Sequence, residues 1–231
     1  MPDASATLEM PIWLEMGALV IGTAVGTLGA CARRLDIIGG IGLGIICGLG
    51  GGLVRDTIMQ VGSVYLIDSP LAIPVSVAVA LIVFFFHGAL ERVPAALEWL
   101  DIVSVALFAA TGTDKAVTYG LAPVTAVFMG LLTANGGGMM RDVFLGDVPR
   151  IFQKSNLYAV CGLLGSFVYW LCVVPLDLPR GVAAAACVVA TSALRRSSLR
   201  FDWKSPADVD LSPAVARPLR HLVSKRNHKG E

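Results

Sequence analysis

Long apolar stretches separated by short polar ones make up most of the chain. A helix of about 20 apolar residues crosses the hydrocarbon core of a bilayer, and several stretches approach that length. We therefore predict an all-α integral membrane protein with seven transmembrane helices. The predicted helices are Ile12–Cys31, Ile37–Val64, Leu71–Phe86, Leu97–Ala116, Leu121–Leu145, Leu157–Val174 and a shorter seventh, Gly181–Leu194.

The second and fifth apolar stretches contain the same motif: three glycines, two apolar residues, Arg and Asp. The copies end at Arg55-Asp56 and Arg141-Asp142, and 141 minus 55 gives an offset of 86 residues. The same offset pairs Gly26 with Gly112, Gly44 with Gly130, and Glu15 with Asp101. It indicates a duplication, with repeat one at 12–92 and repeat two at 97–175. Because each repeat holds three helices, repeat two is expected to be inverted, with helix seven (181–194) outside the duplication.

The triple glycines predict a break in helices two and five, because each glycine costs about 1 kcal/mol of helix propensity relative to Ala. Inside a bilayer, broken backbone is tolerated only against protein or a watery cavity. The helix ends at such a break present carbonyl and N–H groups to an ion or solute. A packing kink without a ligand is the alternative. The candidate pathway residues are Gly50, Gly51, Gly52, Arg55, Asp56, Asn135, Gly136, Gly137, Gly138, Arg141 and Asp142.

The Arg and Asp of each motif are adjacent, and adjacent residues do not face each other on a helix. The pseudo-symmetry suggests crossed partners, Arg55 with Asp142 and Arg141 with Asp56; the alternative places each charge at the interface, reaching towards water. Glu15 and Asp101 are candidate acids at the two mouths of a pathway, where they would concentrate cations. An acid in the first turn of a helix is also ordinary dipole stabilisation.

Basic residues orient the predicted helices, because cytoplasmic loops carry an excess of Lys and Arg. The loops after helices one, three and five share one side of the membrane, and that side carries almost all of the basic residues. We therefore expect this side to be cytoplasmic and the N-terminal tail (1–11), on the opposite side, to lie outside the cell. The basic tail (195–231) is expected to be cytoplasmic, solvated and partly disordered. Anionic lipid is a candidate partner for it, whereas nucleic acid is not. The basic residues on that side are Arg33, Arg34, Arg92, Arg150, Lys154, Arg195, Arg196, Arg200, Lys204, Arg217, Arg220, Lys225, Arg226 and Lys229.

Composition excludes an ordinary soluble domain, since 15% of the 231 residues are charged and the mean hydropathy is +0.73. Soluble domains carry about 25% charged residues. There is no phosphate-binding loop and no pattern of a nucleophile with its base, so we do not expect an enzyme. The five cysteines lie in or at the ends of apolar stretches without paired spacing, so neither a metal site nor another cofactor is expected.

Repeat two resembles the prokaryotic trimeric intracellular cation (TRIC) channels, part of which are labelled bacterial glycine transporters. The resemblance rests on the stretches Ala106–Gly112, Asp114–Ala116, Thr133–Val143 and Val148-Pro149. It implies a homotrimer in the inner membrane of a prokaryote, with a pore between helices one, two, four and five of each subunit. It also implies permeation by K⁺, with Na⁺ conducted too, and it adds Asp114 and Lys115 near the end of helix four to the candidate residues.

The leading functional hypothesis is therefore a potassium-permeable channel whose narrow region lies at the two triple glycines. A carrier for glycine or another small zwitterion is the alternative, because one helix end could hold an ammonium group and the other a carboxylate. A structural membrane protein, in which the glycines serve packing alone, is the third class. Discrete conductance steps would favour the channel, and saturable glycine uptake would favour the carrier. If neither is observed, the structural protein is favoured.

Overall fold

The computed structural model describes residues 12–91, 94–153 and 157–203. The predicted N-terminal tail and the basic tail beyond residue 203 lie outside these ranges, as do Arg92 and Lys154. Within the described ranges the chain is helical and contains no strand. The eight helices are α1 (Ile12–Ala32), α2 (Ile37–Met59), α3 (Tyr65–Asp68), α4 (Ala72–Glu91), α5 (Pro94–Thr118), α6 (Pro123–Phe144), α7 (Tyr158–Val173) and α8 (Arg180–Arg200).

The seven long helices correspond to the seven predicted segments, and α3 is an additional single turn between the second and the third. By length and hydropathy alone, Trp13–Ala32 of α1 and the whole of α2 suffice to cross a membrane. The second segment was predicted to reach Val64, but α2 ends at Met59 because Gln60 adopts a left-handed conformation at its C-cap. The chain then turns back as α3 before α4 begins.

The helices pack as two antiparallel pairs joined at the centre, α1 with α2 and α5 with α6, and α2 lies against α6. Helix α4 covers the first pair, whereas α7 and α8 cover the second. Local signals fix where the central helices begin. The Asp36 side chain accepts a hydrogen bond of 2.8 Å from the backbone N–H of Gly39 at the start of α2, and Pro123 occupies the first turn of α6.

Many polar side chains are buried among the apolar residues of the core, and many large apolar side chains are exposed, which is unusual for a soluble protein. Thr23, Thr27 and Thr113 are 0% exposed, whereas Phe85 and Val124 are 68% and 82% exposed. The buried Thr27 and Thr113 hydroxyls donate to carbonyl oxygens four residues earlier in their own helices, at 3.0 and 2.8 Å. Such an apolar exterior around a hydrogen-bonded polar interior suits a protein surrounded by lipid.

The predicted breaks at the triple glycines are wrong, because α2 and α6 both continue through them as regular helix. The glycines instead allow the two backbones to touch. A Cβ atom at Gly51 would lie 2.5 Å from the Thr133 carbonyl oxygen, and one at Gly137 would lie 2.1 Å from that of Cys47. Helix propensity is a weak local preference, and tertiary packing of this kind outweighs it.

The last helix is longer than the predicted Gly181–Leu194, since α8 begins at Arg180 and ends at Arg200. Its extra residues are not a solvated tail. The Arg195 guanidinium lies 5.1 Å from the centre of the Tyr158 ring, and that of Arg196 lies 5.3 Å from the centre of the Trp99 ring. Contacts between a cation and an aromatic face are favourable, so basic side chains hold the final turns of α8 against α5 and α7.

Candidate functional site

Four charged side chains meet at one end of the bundle, and we call Glu15, Arg55, Asp56 and Lys115 the first cluster. Arg55 reaches Glu15 through Nη1 at 2.8 Å and Asp56 through Nε at 2.7 Å. The Lys115 ammonium lies 2.7 Å from the same Asp56 oxygen, Oδ1. Two acids and two bases give the cluster no net charge, and none of the four side chains is more than 13% exposed.

Backbone groups between α2 and α4 close over the first cluster. The Lys115 ammonium donates to the Ser63 carbonyl oxygen at 2.7 Å, and the Tyr65 N–H donates to Asp56 Oδ2 at 3.0 Å. Every oxygen of the Asp56 carboxylate therefore has a donor, as burial of a carboxylate requires. These hydrogen bonds attach the segment between α2 and α4 to Lys115 and Asp56.

A second cluster lies at the opposite end of the bundle and consists of Asp101, Arg141, Asp142 and Arg150. Arg141 donates to Asp142 Oδ1 through Nε at 2.9 Å and through Nη2 at 2.7 Å. The Arg150 N–H donates to Asp142 Oδ2 at 3.1 Å, as the Tyr65 N–H does in the first cluster. The Arg150 side chain is half exposed and approaches Asp101 no closer than 3.9 Å, and the Tyr158 hydroxyl donates to Asp101 at 3.4 Å.

The crossed pairs predicted between the two motifs are wrong, because each Arg binds the Asp of its own motif. Helices α2 and α6 run in opposite directions through their contact at Gly51 and Gly137. Arg55 lies four residues beyond Gly51, about 6 Å along the axis, and Asp142 lies about 7.5 Å beyond Gly137 in the opposite direction, at a rise of about 1.5 Å per residue. The motifs thus diverge from their contact. An Arg side chain is long enough to fold back onto an adjacent Asp, which the prediction overlooked.

The six motif glycines divide into those at the helix contact and those beside it. Gly50 and Gly51 of α2 meet Gly136 and Gly137 of α6, and a Cβ at Gly136 would lie 3.0 Å from the Gly51 Cα. Gly52 and Gly138 have space beside them. Apart from the adjacent residues and the nearby backbone of its own helix, no described atom lies within 4 Å of a Cβ at Gly138, and the nearest to one at Gly52 is Arg55 Nη2 at 3.9 Å. These two glycines line small voids beside Arg55 and Arg141.

Asn135, immediately before the second triple glycine, is 2% exposed and lies beside the second cluster. Its amide Nδ2 donates to the Leu131 carbonyl oxygen at 2.8 Å. Its Oδ1 has no hydrogen-bond partner in the described part of the chain. A buried acceptor without a donor is costly, so Asn135 Oδ1 is a candidate ligand for a cation or a water.

Space next to the two clusters is unequal. A crevice of about 350 Å³ lies beside the second cluster, between the end of α1 and the end of α6, whereas the void at the first cluster measures about 20 Å³. The crevice is lined by Gly29, Ala32, Arg33, Arg141, Asp142, Leu145, Asp147, Val148, Arg150 and Gln153.

Comparison with known proteins identifies the two repeats. A family model described as "Glycine transporter" matches residues 12–88 and again 98–173, and 98 minus 12 reproduces the offset of 86. The UPF0126 inner membrane protein YadS of Escherichia coli K12 is 30% identical over 199 residues, 84% of this chain and 94% of its own length. The UPF0126 membrane protein YvgT of Bacillus subtilis is 31% identical over 188 residues, 78% of this chain and 88% of its own length.

The fold of this chain is similar to that of solved TRIC channel structures. The TRIC trimeric intracellular cation channel orthologue from Rhodobacter sphaeroides is 33% identical, with a TM-score of 0.73 over 83% of this chain and 97% of its own. The chain belongs to the TRIC family. A second TRIC cation channel structure aligns with a TM-score of 0.74 and 25% identity, over 88% of this chain and 98% of its own. The resemblance and the all-α membrane fold are confirmed, and the TRIC fold is one of membrane transport and not of an enzyme.

Asp114 and Lys115, both candidates from the TRIC resemblance, point to different neighbours. Lys115 belongs to the first cluster, whereas Asp114 is 0% exposed and accepts from the Tyr169 hydroxyl at 2.8 Å and from Arg180 Nε at 2.9 Å. Its other oxygen, Oδ2, has no hydrogen-bond partner among the described residues. Asp114 therefore joins α5 to α7 and to the start of α8.

Sequence reasoning missed three residues of these networks. Arg180 lies between predicted helices six and seven and was not among the candidate residues. Tyr158 and Tyr169 lie in an apolar stretch that gave no sign of a polar role. Glu15 was recognised, but its pairing with Arg55 was not. In the described part of this TRIC chain, no three His, Cys, Asp or Glu side chains are grouped to hold a metal ion, and no disulfide joins any of the five cysteines.

Proposed function

We propose that this TRIC protein is a monovalent-cation channel, permeable to K⁺, with one pathway through each subunit between α1, α2, α5 and α6. The observation that carries the proposal is the pair of buried charge clusters on opposite sides of the glycine contact. Apart from Arg150, which follows α6, the residues of both clusters lie on these four helices, and the two voids and the crevice adjoin them. Buried ionisable groups inside a membrane bundle are expensive and commonly mark an ion pathway.

The arginines do not oppose cation passage in this arrangement, because each is neutralised by a carboxylate. Arg55 lies between Glu15 and Asp56, and Arg141 binds Asp142 through two nitrogens. On this proposal the narrow region is the contact of Gly50 and Gly51 with α6, and conduction requires α2 and α6 to separate there. The 33% identical relative is described as a trimeric cation channel, and we extend both the trimer and the cation to this chain.

The test is a recording from the purified protein in planar bilayers under a gradient of KCl. We expect discrete conductance steps whose reversal potential moves towards that of K⁺, with Na⁺ also carried. The same protein in liposomes is given labelled glycine, because the matching family model is described as a glycine transporter. Saturable glycine uptake without conductance steps would support the carrier instead. If neither conductance steps nor glycine uptake is observed, the result favours a structural membrane protein.

We also propose that the protein lies in the inner membrane with its N-terminus outside and its C-terminus in the cytoplasm. Relatives of this chain are named inner membrane proteins. Arg33, Arg34 and Arg150 lie at the end of the bundle that carries the second cluster, and the end of α8 adds Arg200. The second cluster then faces the cytoplasm, where the basic tail is available to anionic lipid.

Reporters fused to the two ends test this orientation. A reporter that works only in the periplasm is expected to be active at the N-terminus and inactive at the C-terminus, and a cytoplasmic reporter should give the reverse. The same compartment for both ends would contradict an odd number of crossings. If the N-terminus is cytoplasmic and the C-terminus periplasmic, the seven crossings stand. The first cluster would then face the cytoplasm and the second the periplasm.

A further inference from the structure

Two contacts join the repeats, one at each end of the bundle. At the end of the second cluster, Arg33 lies in the turn between α1 and α2 and forms an ion pair with Asp147, which follows α6. At the end of the first cluster, Tyr119 lies in the turn between α5 and α6 and its hydroxyl lies against Gly62, which follows α2. In both contacts a turn of one repeat meets the segment after the glycine-rich helix of the other.

The duplication makes these two contacts equivalent. Adding the offset of 86 to 33 gives 119. Beyond the motifs the offset falls to 85, because the N–H groups of Tyr65 and Arg150 donate in the same way to Asp56 and Asp142, and 150 minus 65 is 85. Adding 85 to 62 gives 147. Equivalent positions therefore meet at the two ends, but they carry different side chains.

The two contacts differ in charge and in exposure. Arg33 and Asp147 are oppositely charged, and their side chains are 51% and 40% exposed. The contact of Tyr119 with Gly62 contains no formal charge. Beside it the Lys115 ammonium, on a side chain that is 9% exposed, donates to the Ser63 carbonyl oxygen at 2.7 Å. Dissolved salt screens exposed charges much more than buried ones. Of the two contacts, the one between Arg33 and Asp147 is therefore the one that salt weakens.

The ion pair spans the two helices that the proposed opening separates. Arg33 lies four residues before the start of α2 at Ile37, and Asp147 lies three residues after the end of α6 at Phe144. Both side chains also line the crevice of about 350 Å³ between the end of α1 and the end of α6. A movement of α2 away from α6 at this end would widen the crevice and draw the two charges apart.

We propose that Arg33 and Asp147 form a latch between the repeats, which favours the closed state at the end of the second cluster and is weakened by rising ionic strength. The uncharged contact at the opposite end is insensitive to salt. An exposed ion pair contributes at most about 1 kcal/mol, about a fivefold change in an equilibrium constant, so the latch biases the opening and does not prevent it. The proposal rests on the proposed function, because it assigns the pair to the same pathway.

Amide hydrogen exchange in Arg33→Gln tests the latch without measuring a current. This substitution leaves the sequence of residues 145–153 unchanged, so their intrinsic exchange rates are unchanged too. At about 0.01 M salt, where the Debye length is about 30 Å, we expect this segment to exchange up to about fivefold faster than in the wild type. At about 1 M salt the two proteins should exchange alike, because salt has already weakened the pair. Residues 60–64 should exchange alike under both conditions.

Arg196→Gln serves as the control, because it removes another exposed ion pair from the same protein. Arg196 on α8 lies 3.8 Å from Glu98 on α5, and their side chains are 53% and 40% exposed. This pair does not bridge α2 and α6, so its loss should leave the exchange of residues 145–153 unchanged. Wild-type exchange of this segment in Arg33→Gln at low salt, or an equal acceleration in Arg196→Gln, would overturn the latch.

Bilayer recordings then measure the effect of the latch on opening. At about 0.1 M salt, Arg33→Gln is expected to raise the ratio of open to closed time by up to about fivefold and to respond less to added N-methylglucamine chloride than the wild type does. Exchanging the charges, Arg33→Asp with Asp147→Arg, should restore wild-type gating. An unchanged open probability in Arg33→Gln, or no restoration by the exchanged pair, would contradict the role in gating.

The exchange measurement and the recording fail independently. Faster exchange of residues 145–153 in an Arg33→Gln protein whose wild type has no conductance would leave the contact between the repeats and reject the channel. Conductance steps in a protein whose Arg33→Gln variant exchanges like the wild type would leave the channel and reject the latch.

Discussion

Gly137→Ala is expected to reduce the free energy of unfolding by about 1–3 kcal/mol, the usual cost of excess volume in a packed interior. The added Cβ would lie 2.1 Å from the carbonyl oxygen of Cys47, which belongs to the backbone of α2 and has no rotamer to change. Either α2 or α6 must shift as a whole. The measurement is the Tm of the purified protein, together with its oligomeric state.

Gly138→Ala is the matched control, one residue further along the same helix. No described atom of another helix lies within 4 Å of its new Cβ. Because Ala favours a helix over Gly by about 1 kcal/mol, the Tm of this variant should equal or exceed that of the wild type. Gly51→Ala should behave like Gly137→Ala, since its Cβ would lie 2.5 Å from the Thr133 carbonyl oxygen. Equal Tm values for Gly137→Ala and Gly138→Ala would show that the two helices are not in close contact there.

Arg55→Met is expected to cost about 3–5 kcal/mol of stability, because it leaves a buried carboxylate without its cation. Lys115 still neutralises Asp56, so Glu15, at 2.8 Å from Arg55, is the group left uncompensated. Adding Glu15→Gln should therefore recover part of the loss. The thermal stabilities of the wild type, both single variants and the double variant give the coupling, expected at about 0.5–3 kcal/mol.

Arg55→Met combined with Asp142→Asn is the control pair. These residues lie in different clusters at opposite ends of the bundle, so their effects should add to within about 0.3–0.5 kcal/mol. A strong coupling between Arg55 and Asp142 would restore the crossed pairing that the structure contradicts. Additive effects of Arg55→Met and Glu15→Gln would show that the 2.8 Å contact contributes nothing to stability.

The number of long helices and the duplication followed from the sequence, because both are regular along the chain. The length of an apolar stretch is enough to indicate a membrane helix. The constant offset of 86 residues between the repeats can likewise be found without knowing how the helices pack. The behaviour of Gly51 and Gly137 did not follow, since propensity describes an isolated helix. Only the position of α6 shows that these glycines are needed for a helix contact.

The partner of Arg55 was within reach of the sequence, although the pseudo-symmetry suggested a different one. Helices α1 and α2 are antiparallel neighbours joined by a short turn. Glu15 lies 17 residues before the end of α1 at Ala32, and Arg55 lies 18 residues after the start of α2 at Ile37. Equal distances from the turn place the two charges at the same height. The link from Asp114 to Tyr169 and Arg180 had no such signal, because it depends on how α7 and α8 pack against α5.

The contact between α2 and α6 has a consequence for the work of opening a passage between them. Both helices keep their internal hydrogen bonds through the glycines, so drawing them apart leaves no peptide group without a partner. At Gly51 and Gly137 the surfaces that touch are main chain, and beside them the Met140 side chain of α6 packs against Gly50 of α2. On the proposed function, a rigid displacement of one helix would therefore open the passage without breaking a backbone hydrogen bond of either helix.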